Sequence, residues 1–376
     1  MTNPQTSAYQ SRQSKLAVIL QTSGYSAMLL NPGPSLVYLT GLNFHLMERP
    51  VVALFMPHTP LVLVLPELEA AKVSHLPFPV QAFTFGEDPS SWAAVFHQGF
   101  KAARLEPGAR VGVEPRRLRL LELRLAEEAT PKTYFISAEE VFANLRMHKD
   151  ETELASIRKA VQIAEQALIE TLPLIKVGVT EKEIAAELTL QLLRGGSDPE
   201  MPFSPIVSSG PNSANPHATP TSRALQPGDC LVIDWGATSD GYISDITRTF
   251  AVVEVDEEMQ RIFQIVAQAN AAGRAIAGPG IPAGQIDAAA RQVIGDAGYG
   301  PYFTHRTGHG IGMEGHEEPY IRSGNSLPLK PGMTFTVEPG IYLPDRNGVR
   351  IEDNIVITQT GSQCLTGLPR EMDTVG

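Results

Sequence analysis

Five side chains in the C-terminal half of the sequence restrict its fold more than any other feature: Asp234, Asp245, His309, Glu338 and Glu352. Each sits in a short context suited to holding a metal ion: Ile233-Asp234-Trp235-Gly236, Ser244-Asp245-Ile246-Thr247-Arg248, Gly308-His309-Gly310-Ile311-Gly312, Val337-Glu338-Pro339-Gly340 and Arg350-Ile351-Glu352-Asp353-Asn354. Four carboxylates cannot converge in a dry pocket without cations, because desolvation and mutual repulsion both oppose it. With two divalent ions the same set becomes a dinuclear hydrolytic centre. The chain therefore reads as a metallohydrolase, and its fold must bring five distant segments to one point.

Bulk properties set limits on the rest. At 376 residues the chain exceeds one ordinary core, so two domains are expected. A hydrophobic content of 43% with 19% charged residues is that of a globular protein. The net charge of −11 leaves no basic stripe to neutralise phosphates, which excludes a nucleic-acid surface. Met1–Ser14 is polar, without the apolar core of a secretion signal, and reads as a short frayed tail leading into a helix. The longest apolar run, around Leu61–Leu65, is strand-sized, so no membrane span is expected and the localisation reads as cytoplasmic. Cys230 and Cys364 lie far apart, form no metal pattern, and are expected to be buried free thiols.

The first ~145 residues alternate strand and helix signals, as an α/β domain does. Ala27–Asn31, Val51–Met56, Leu61–Leu65 and Arg110–Val113 read as strands, several without polar alternation, as in a sheet covered by helices. Ser90–Arg104 and Pro115–Glu128 read as helices, and Asn31-Pro32-Gly33-Pro34 as a turn. A polar stretch at Arg146–Glu153 marks the boundary, giving domains over residues 1–148 and 149–376. A helix then begins near Asp150, with Leu154, Ile157, Val161, Ala164 and Leu168 at helical spacing. Thr180–Leu193 is a second helix, opened by the capping box Thr180/Glu183 and ended by Gly195-Gly196. Val255–Ala277 and Gly284–Gly298 are two more, and strands between and after them make this half α+β.

A faint internal symmetry is visible. Cys230–Phe250 and Thr334–Ile357 each read as strand, turn, strand, with one acid on each arm. In the first, Ser239-Asp240-Gly241 is the turn. A loop at 239–240 places Asp234 directly opposite Asp245; a loop at 240–241 places them on a diagonal. Either register leaves both carboxylates on one face. On the second hairpin, Arg350 and Glu352 share a face. Arg350 can neutralise Glu352 or reach a substrate carboxylate. His309 stands between glycines that allow close backbone approach. His305, His316 and His217 lie near it in sequence or in the loop Asn215–Ala218, where imidazoles can donate to an intermediate or move a proton.

The order Asp, Asp, His, Glu, Glu, with gaps of 11, 64, 29 and 14 residues, resembles the pita-bread metallopeptidases: prolidases, aminopeptidases P and methionine aminopeptidases. The resemblance covers roughly residues 150–376, with no departure at the five positions. The N-terminal part is similar to the creatinase/prolidase N-terminal domain through Val37-Tyr38-Leu39-Thr40-Gly41. It implies an α/β N-terminal domain followed by an α+β pita-bread catalytic domain with pseudo-twofold symmetry. Asp234, Asp245, His309, Glu338 and Glu352 would hold two divalent ions per subunit, manganese or cobalt before zinc. Glu338 would also shuttle the proton. His217 and His316 would line the substrate pocket, His305 matches the histidine four residues before the ligand, and Arg350 would orient Glu352 and the substrate end.

The implied reaction is hydrolysis of the bond on the amino side of proline in small peptides, by a homodimer. A dipeptidase must bind the free carboxylate directly after proline; an aminopeptidase P must leave room there. The loop Gly41–Arg49 follows the Tyr-Leu-Thr-Gly signature, and Arg49 or His45 in it could clamp that carboxylate, which favours the dipeptidase. A creatinase-like amidinohydrolase and a non-catalytic binding module share this fold. Creatinases lack the metal ligands, and binding modules lose ligands and often add basic tails. This acidic chain keeps all five.

Overall fold

The computed structural model describes residues 4–376, with side chains from Ala8 onward. The chain divides into two compact units, Met1–Arg146 and Met147–Gly376.

The first unit is built on a six-stranded mixed sheet in the order Val80–Phe85, Leu61–Pro66, Val52–Phe55, Ala27–Leu30, Arg110–Val113, Tyr134–Ser137. The three strands from Leu61–Pro66 to Ala27–Leu30 are uninterrupted apolar runs and are buried along their length, as expected for strands covered on both faces. The helix Trp92–Ala103 packs Phe96 and Phe100 onto Val62 and Val64. Gly99 permits this approach, since a Cβ there would lie 2.6 Å from Val64 Cγ2.

Three elements differ from the sequence reading. The segment expected to fray over Met1–Ser14 is helical from Pro4, in one helix Pro4–Ser23; its first three residues lie outside the described part. The helix expected over Pro115–Glu128 runs Leu120–Ala129. Pro115 instead opens a tight turn, in which Arg117 and Leu118 donate their backbone N–H to Glu114 O. The Asn31–Pro34 turn leads directly into a helix, Pro34–Thr40, with Pro34 in its first turn and left-handed Gly41 (φ 75°) at its end.

The second unit repeats one plan twice: two helices, a strand, then a hairpin. In the first half these are Glu151–Thr171, Glu181–Arg194, Ile206–Ser209, and the hairpin arms Cys230–Trp235 and Ile246–Val252. In the second they are Glu257–Ile276, Ala283–Asp296, Gly308–Gly310, and the arms Thr334–Val337 and Asp353–Ile357. In both halves the single strand lies beside the first arm, antiparallel to it. Each helix pair has its own core against its own hairpin. Ile157, Val161, Ala164 and Leu168 of the expected stripe are buried, and Trp235 donates its indole N–H to Ala164 O (2.8 Å). In the second half Ile262, Phe263 and Val266 meet Ile341, Val349 and Ile351. Both capping boxes form, at Asp150/Glu153 and at Thr180/Glu183. Cys230 is a buried free thiol as expected, while Cys364 is only half-buried and accepts a hydrogen bond from Arg370.

Lys149 and Glu317 form an ion pair at 2.6 Å with both side chains almost wholly buried. Removing either partner takes the opposite charge away from a buried one. Lys149→Met is expected to cost about 3–5 kcal/mol. Lys149→Met with Glu317→Gln should recover much of it; urea unfolding of the three proteins checks this.

Candidate metal centre

The two hairpins carry the acids, and both are interrupted where Asp245, Glu338 and Glu352 stand; Asp234 is paired just before the first interruption. In the first, Ser239 pairs with Tyr242 around Asp240 and Gly241, both at positive φ (51° and 76°). This is the loop at 240–241, so Asp234 opposes Thr247 and Asp245 lies on the diagonal. Regular pairing lapses between Trp235/Ile246 and Thr238/Ile243. Gly236 fills that gap because a Cβ there would sit 2.0 Å from Ser244 O. Asp245 occupies the opposite side of the gap. Its backbone N–H donates to Asn354 Oδ1 (3.1 Å), and its carbonyl accepts from Asn354 Nδ2.

In the second hairpin Val337 pairs with Asp353 and Gly340 with Arg350. Carried through the gap between them, this register sets Glu338 opposite Glu352. Their freed backbone groups bond elsewhere: Glu338 N–H to Thr307 O (2.7 Å), Glu352 N–H to Thr247 O (3.1 Å). Asn270, from the helix Glu257–Ile276, caps Val337 O (2.9 Å). His309 lies on the short strand beside this hairpin. Its flanking glycines serve strand packing, since a Cβ on Gly308 would meet Thr336 O at 1.9 Å and one on Gly310 would meet Glu318 O at 2.3 Å.

The five expected side chains converge. One ligand atom each from Asp245, His309 and Glu352 lies within 4.8 Å of the other two. His309 Nε2 is 3.2 Å from Glu338 Oε1 and 3.5 Å from Asp245 Oδ2. Asp234 takes Arg350 Nη2 on Oδ2 at 2.6 Å, leaving Oδ1 buried with no partner. His309 Nδ1 faces Gly310 O (3.2 Å), the arrangement of a donor, which turns the Nε2 lone pair toward the carboxylates. Burial raises the carboxyl of Asp234, with Arg350 opposing. Burial and repulsion from the neighbouring acids raise Asp245 and Glu352 well above the ordinary range. Burial also pushes Glu338 up; a hydrogen bond and charge from His309, which it offers only when protonated and so without a lone pair on Nε2, act the other way and hold this carboxyl below its usual range. An orphaned carboxylate oxygen, an imidazole lone pair facing acceptors, and two acids that shed charge by holding protons all fit divalent cations bound through oxygen and nitrogen.

Arg350 commits four of its five N–H donors. It donates to Asp234, to Thr247 Oγ1 (3.1 Å), to Pro216 O (3.2 Å) and to Tyr342 OH (2.9 Å). Of the two roles open from sequence, neutralising a ligand is the one this geometry serves, and the ligand it contacts is Asp234; it reaches Glu352 through the Thr247 hydroxyl. Tyr342, pushed up to about 12 by burial, stays a phenol and faces His305 Nε2 (2.8 Å). His305 Nδ1 faces Arg306 O (2.7 Å), so both ring nitrogens are taken; desolvation lowers its pKa and keeps it neutral. The His316 ring centroid lies 4.0 Å from that of His309, and desolvation with the charges of His309 and Arg306 holds His316 at about 4. His217 is exposed, on the loop whose Pro216 carbonyl meets Arg350. Arg49, in the first unit, pairs with Glu48 (2.8 Å) and Glu87 (2.7 Å).

Thr247, Thr336, Tyr342, Asn354 and Arg306 belong to this constellation and were not singled out from sequence. Strand alternation could have found three of them. Thr247 is two residues from Asp245, Thr336 is two before Glu338, and Tyr342 is four beyond it, so each shares a ligand's face. Asn354 and Arg306 act across elements, which no local pattern shows.

Comparison with known proteins agrees with this geometry. The model of metallopeptidase family M24 matches residues 155–359, and that of the creatinase/prolidase N-terminal domain matches residues 12–148. The chain belongs to metallopeptidase family M24. It is 36% identical to the probable dipeptidase PepE of Mycobacterium tuberculosis over 98% of this chain and 96% of that one. It is 34% identical to the Xaa-Pro dipeptidase of Lactobacillus delbrueckii subsp. lactis over 95% and 97%. A crystal structure of the prolidase from Thermococcus sibiricus superposes with a TM-score of 0.92 at 33% identity, covering 98% of this chain and 99% of that one. Like those relatives, this M24 peptidase joins a creatinase-type N-terminal domain to a pita-bread catalytic domain. As a metallopeptidase it uses divalent metal, and among its described residues no helix is long and apolar enough to cross a membrane.

The raised carboxyls of Asp245 and Glu352 predict how this M24 peptidase takes up its metal. A cation must displace their protons, so binding should release protons and tighten as pH rises. Calorimetry in two buffers of different ionisation enthalpy reads the release. The sign for stability follows from the same shifts. A carboxyl raised in the folded state destabilises the metal-free fold as pH climbs from about 4 through the raised value. The gain in Tm on adding metal should therefore be larger at pH 8 than at pH 5; equal gains would contradict the assignment.

Proposed function

We propose that Asp234, Asp245, His309, Glu338 and Glu352 hold two divalent ions, and that the protein is an Xaa-Pro dipeptidase cleaving the bond on the amino side of proline. The observation that carries this reading is the meeting of Asp245, His309 and Glu352, one ligand atom of each within 4.8 Å of the other two, with Glu338 3.2 Å from His309 Nε2 and Asp234 near enough for its charge to raise Asp245. The dipeptidase and prolidase relatives supply the substrate class. Oxygen-dominated ligation favours manganese or cobalt, with zinc able to occupy the site. When bound, the ions polarise the scissile carbonyl and lower the pKa of the attacking water.

The chain's own residues do the rest. The proline nitrogen leaves as a secondary amine and needs a proton. Glu338 Oε1 takes the Thr336 hydroxyl and lies 3.2 Å from His309 Nε2, so its carboxylate stands among the proposed ligands, where it can accept the proton of the water and pass it on. Thr336 fixes its direction. The hydroxyl accepts His309 N–H (3.1 Å) and so turns its own proton to Glu338 Oε1 (3.1 Å). His316, neutral beside His309, and His217 are placed to donate to the oxygen that gains charge. His305 acts behind them, holding Tyr342 and through it Arg350.

A dipeptide carries a free carboxylate directly after proline, and a cation must receive it. Arg350 already commits four of its five N–H donors to Asp234, Thr247, Pro216 and Tyr342, and Glu48 and Glu87 engage Arg49, so clamping there would first require breaking two ion pairs. Arg306 is better placed. Its guanidinium lies over the Tyr320 ring, 4.5 Å from the centroid, and its charge is felt at His316. Among the described residues no carboxylate forms an ion pair with it. We read Arg306 as the carboxylate receiver.

Activity should vanish on chelation and return with manganese or cobalt, on Ala-Pro more than on Ala-Pro-Ala; preference for the tripeptide would turn the reading to aminopeptidase P. Arg306→Ala should lower kcat/KM for the dipeptide by about ten- to a hundredfold, the worth of one charge-assisted contact, and spare the tripeptide. A second variant tests the shuttle. Glu338→Gln, with metal content measured alongside, should depress kcat far more than KM. A fully metallated Glu338→Gln enzyme with normal kcat would remove Glu338 from that role.

A further inference from the structure

Glu181 opens the helix Glu181–Arg194, and its side chain is fully buried. Its carboxylate accepts five hydrogen bonds, all from neutral donors. Oε1 takes Ser209 N–H (2.7 Å) and Ser209 Oγ (2.9 Å). Oε2 takes Asn212 Nδ2 (2.8 Å), Thr221 N–H (2.9 Å) and Thr221 Oγ1 (2.7 Å). Ser209 and Thr221 are the two ends of the segment that carries His217, so one carboxylate ties the neck of that loop.

The loop is fixed at its middle as well, and there the anchors belong to the metal-bearing hairpin. Gly348 N–H donates to Ser213 Oγ (2.8 Å), and a Cβ on Gly348 would lie 2.0 Å from Ser213 O. Arg350 holds Pro216 O, and Asn215 Oδ1 receives His217 N–H (3.1 Å). The neck sets where the loop leaves the sheet; the middle sets its height over the site. His217 itself is exposed and makes no side-chain hydrogen bond among the described residues, so its position is inherited from these anchors.

We propose that Glu181 is a positioning residue for the reaction, acting through His217 by holding the two ends of the Ser209–Thr221 loop at one point. This rests on the reading that His217 contacts the substrate. A carboxylate is needed because five donors converge on it. An amide of the same shape would turn its NH2 toward donors and lose bonds at one end of the neck.

The test is a double-mutant cycle on the manganese-loaded enzyme, with Ala-Pro as substrate. Glu181→Gln should keep its metal content and lower kcat/KM by about ten- to a hundredfold, the scale of a misplaced catalytic contact. In a His217→Ala background the same substitution should cost nothing further. Thr221→Val, which removes one of the five bonds, should show a smaller loss that likewise disappears in His217→Ala, and it serves if Glu181→Gln does not fold. Equal losses in both backgrounds would mean that Glu181 supports the fold without acting through His217, and would overturn the proposal. Wild-type kinetics in both loop variants would also overturn it. Unchanged kinetics in His217→Ala alone would instead remove the contact between His217 and substrate, and the proposal would fall with that reading.

Discussion

The catalytic unit depends on the junction of Thr247 with Glu352. Here the two hairpins, each the product of a separate half, are joined by main-chain and side-chain bonds at once. Glu352 N–H donates to Thr247 O, and Thr247 Oγ1 donates to Glu352 Oε2 at 2.6 Å. The same hydroxyl accepts from Arg350. Arg248 braces the junction from behind, bonding Thr247 O (2.8 Å) and Glu352 O (2.7 Å). Each hairpin could have continued as an unbroken ribbon. Instead each pairing lapses, and the backbone groups set free find other partners: Glu352 N–H takes Thr247 O across the junction, Glu338 N–H takes Thr307 O, and Asp245 bonds the Asn354 side chain. The site therefore lies on the seam between two half-cores, and neither half contains a complete ligand set.

This architecture explains how so many acids are tolerated. Burying one unpaired carboxylate is costly, and four together would be far more so. The fold compensates only in part: Arg350 engages Asp234, Thr247 engages Glu352, Thr336 engages Glu338, and Asn354 holds Asp245 only through its backbone. One hydroxyl or one guanidinium on each of Asp234, Glu338 and Glu352 is enough to orient the carboxylate and too little to neutralise it. The remaining negative potential is what a cation would feel.

Much of this was legible in the sequence. The five candidate positions that the fold brings together, the two hairpins and the four long helices follow from motif spacing, turn chemistry and capping boxes, which are local signals. The hairpin register could be narrowed to two choices because alternation keeps face while leaving position open; Asp240 and Gly241 at positive φ decide between them. Less legible was whatever depends on contacts between distant segments. Arg49 looked available as a clamp because nothing local shows that Glu87 would reach it. Arg350 looked available for substrate because Tyr342 and Pro216 come to it from other elements. The Leu120–Ala129 helix starts late because Pro115 suits a turn as well as a first helical turn, and the end of a strand chose the turn.

The dipeptide Glu352-Asp353 shows how little separates a ligand from a buttress. Both are buried acids on one strand end, one residue apart, and the period of two sends them to opposite faces. Glu352 faces the other candidate ligands, where burial and then repulsion from Glu338 and Asp234 raise its carboxyl. Asp353 faces away, where Arg248 (2.9 Å), Arg370 (2.7 Å) and Arg274 (3.5 Å) surround it. Burial pushes Asp353 up, yet Arg248 and Arg370 hold it below the ordinary range. It is thus a fixed negative charge among fixed positive ones. That cluster also fixes Arg248, the residue bracing the Thr247–Glu352 junction. An acid that binds no metal thereby sets the position of one that faces it.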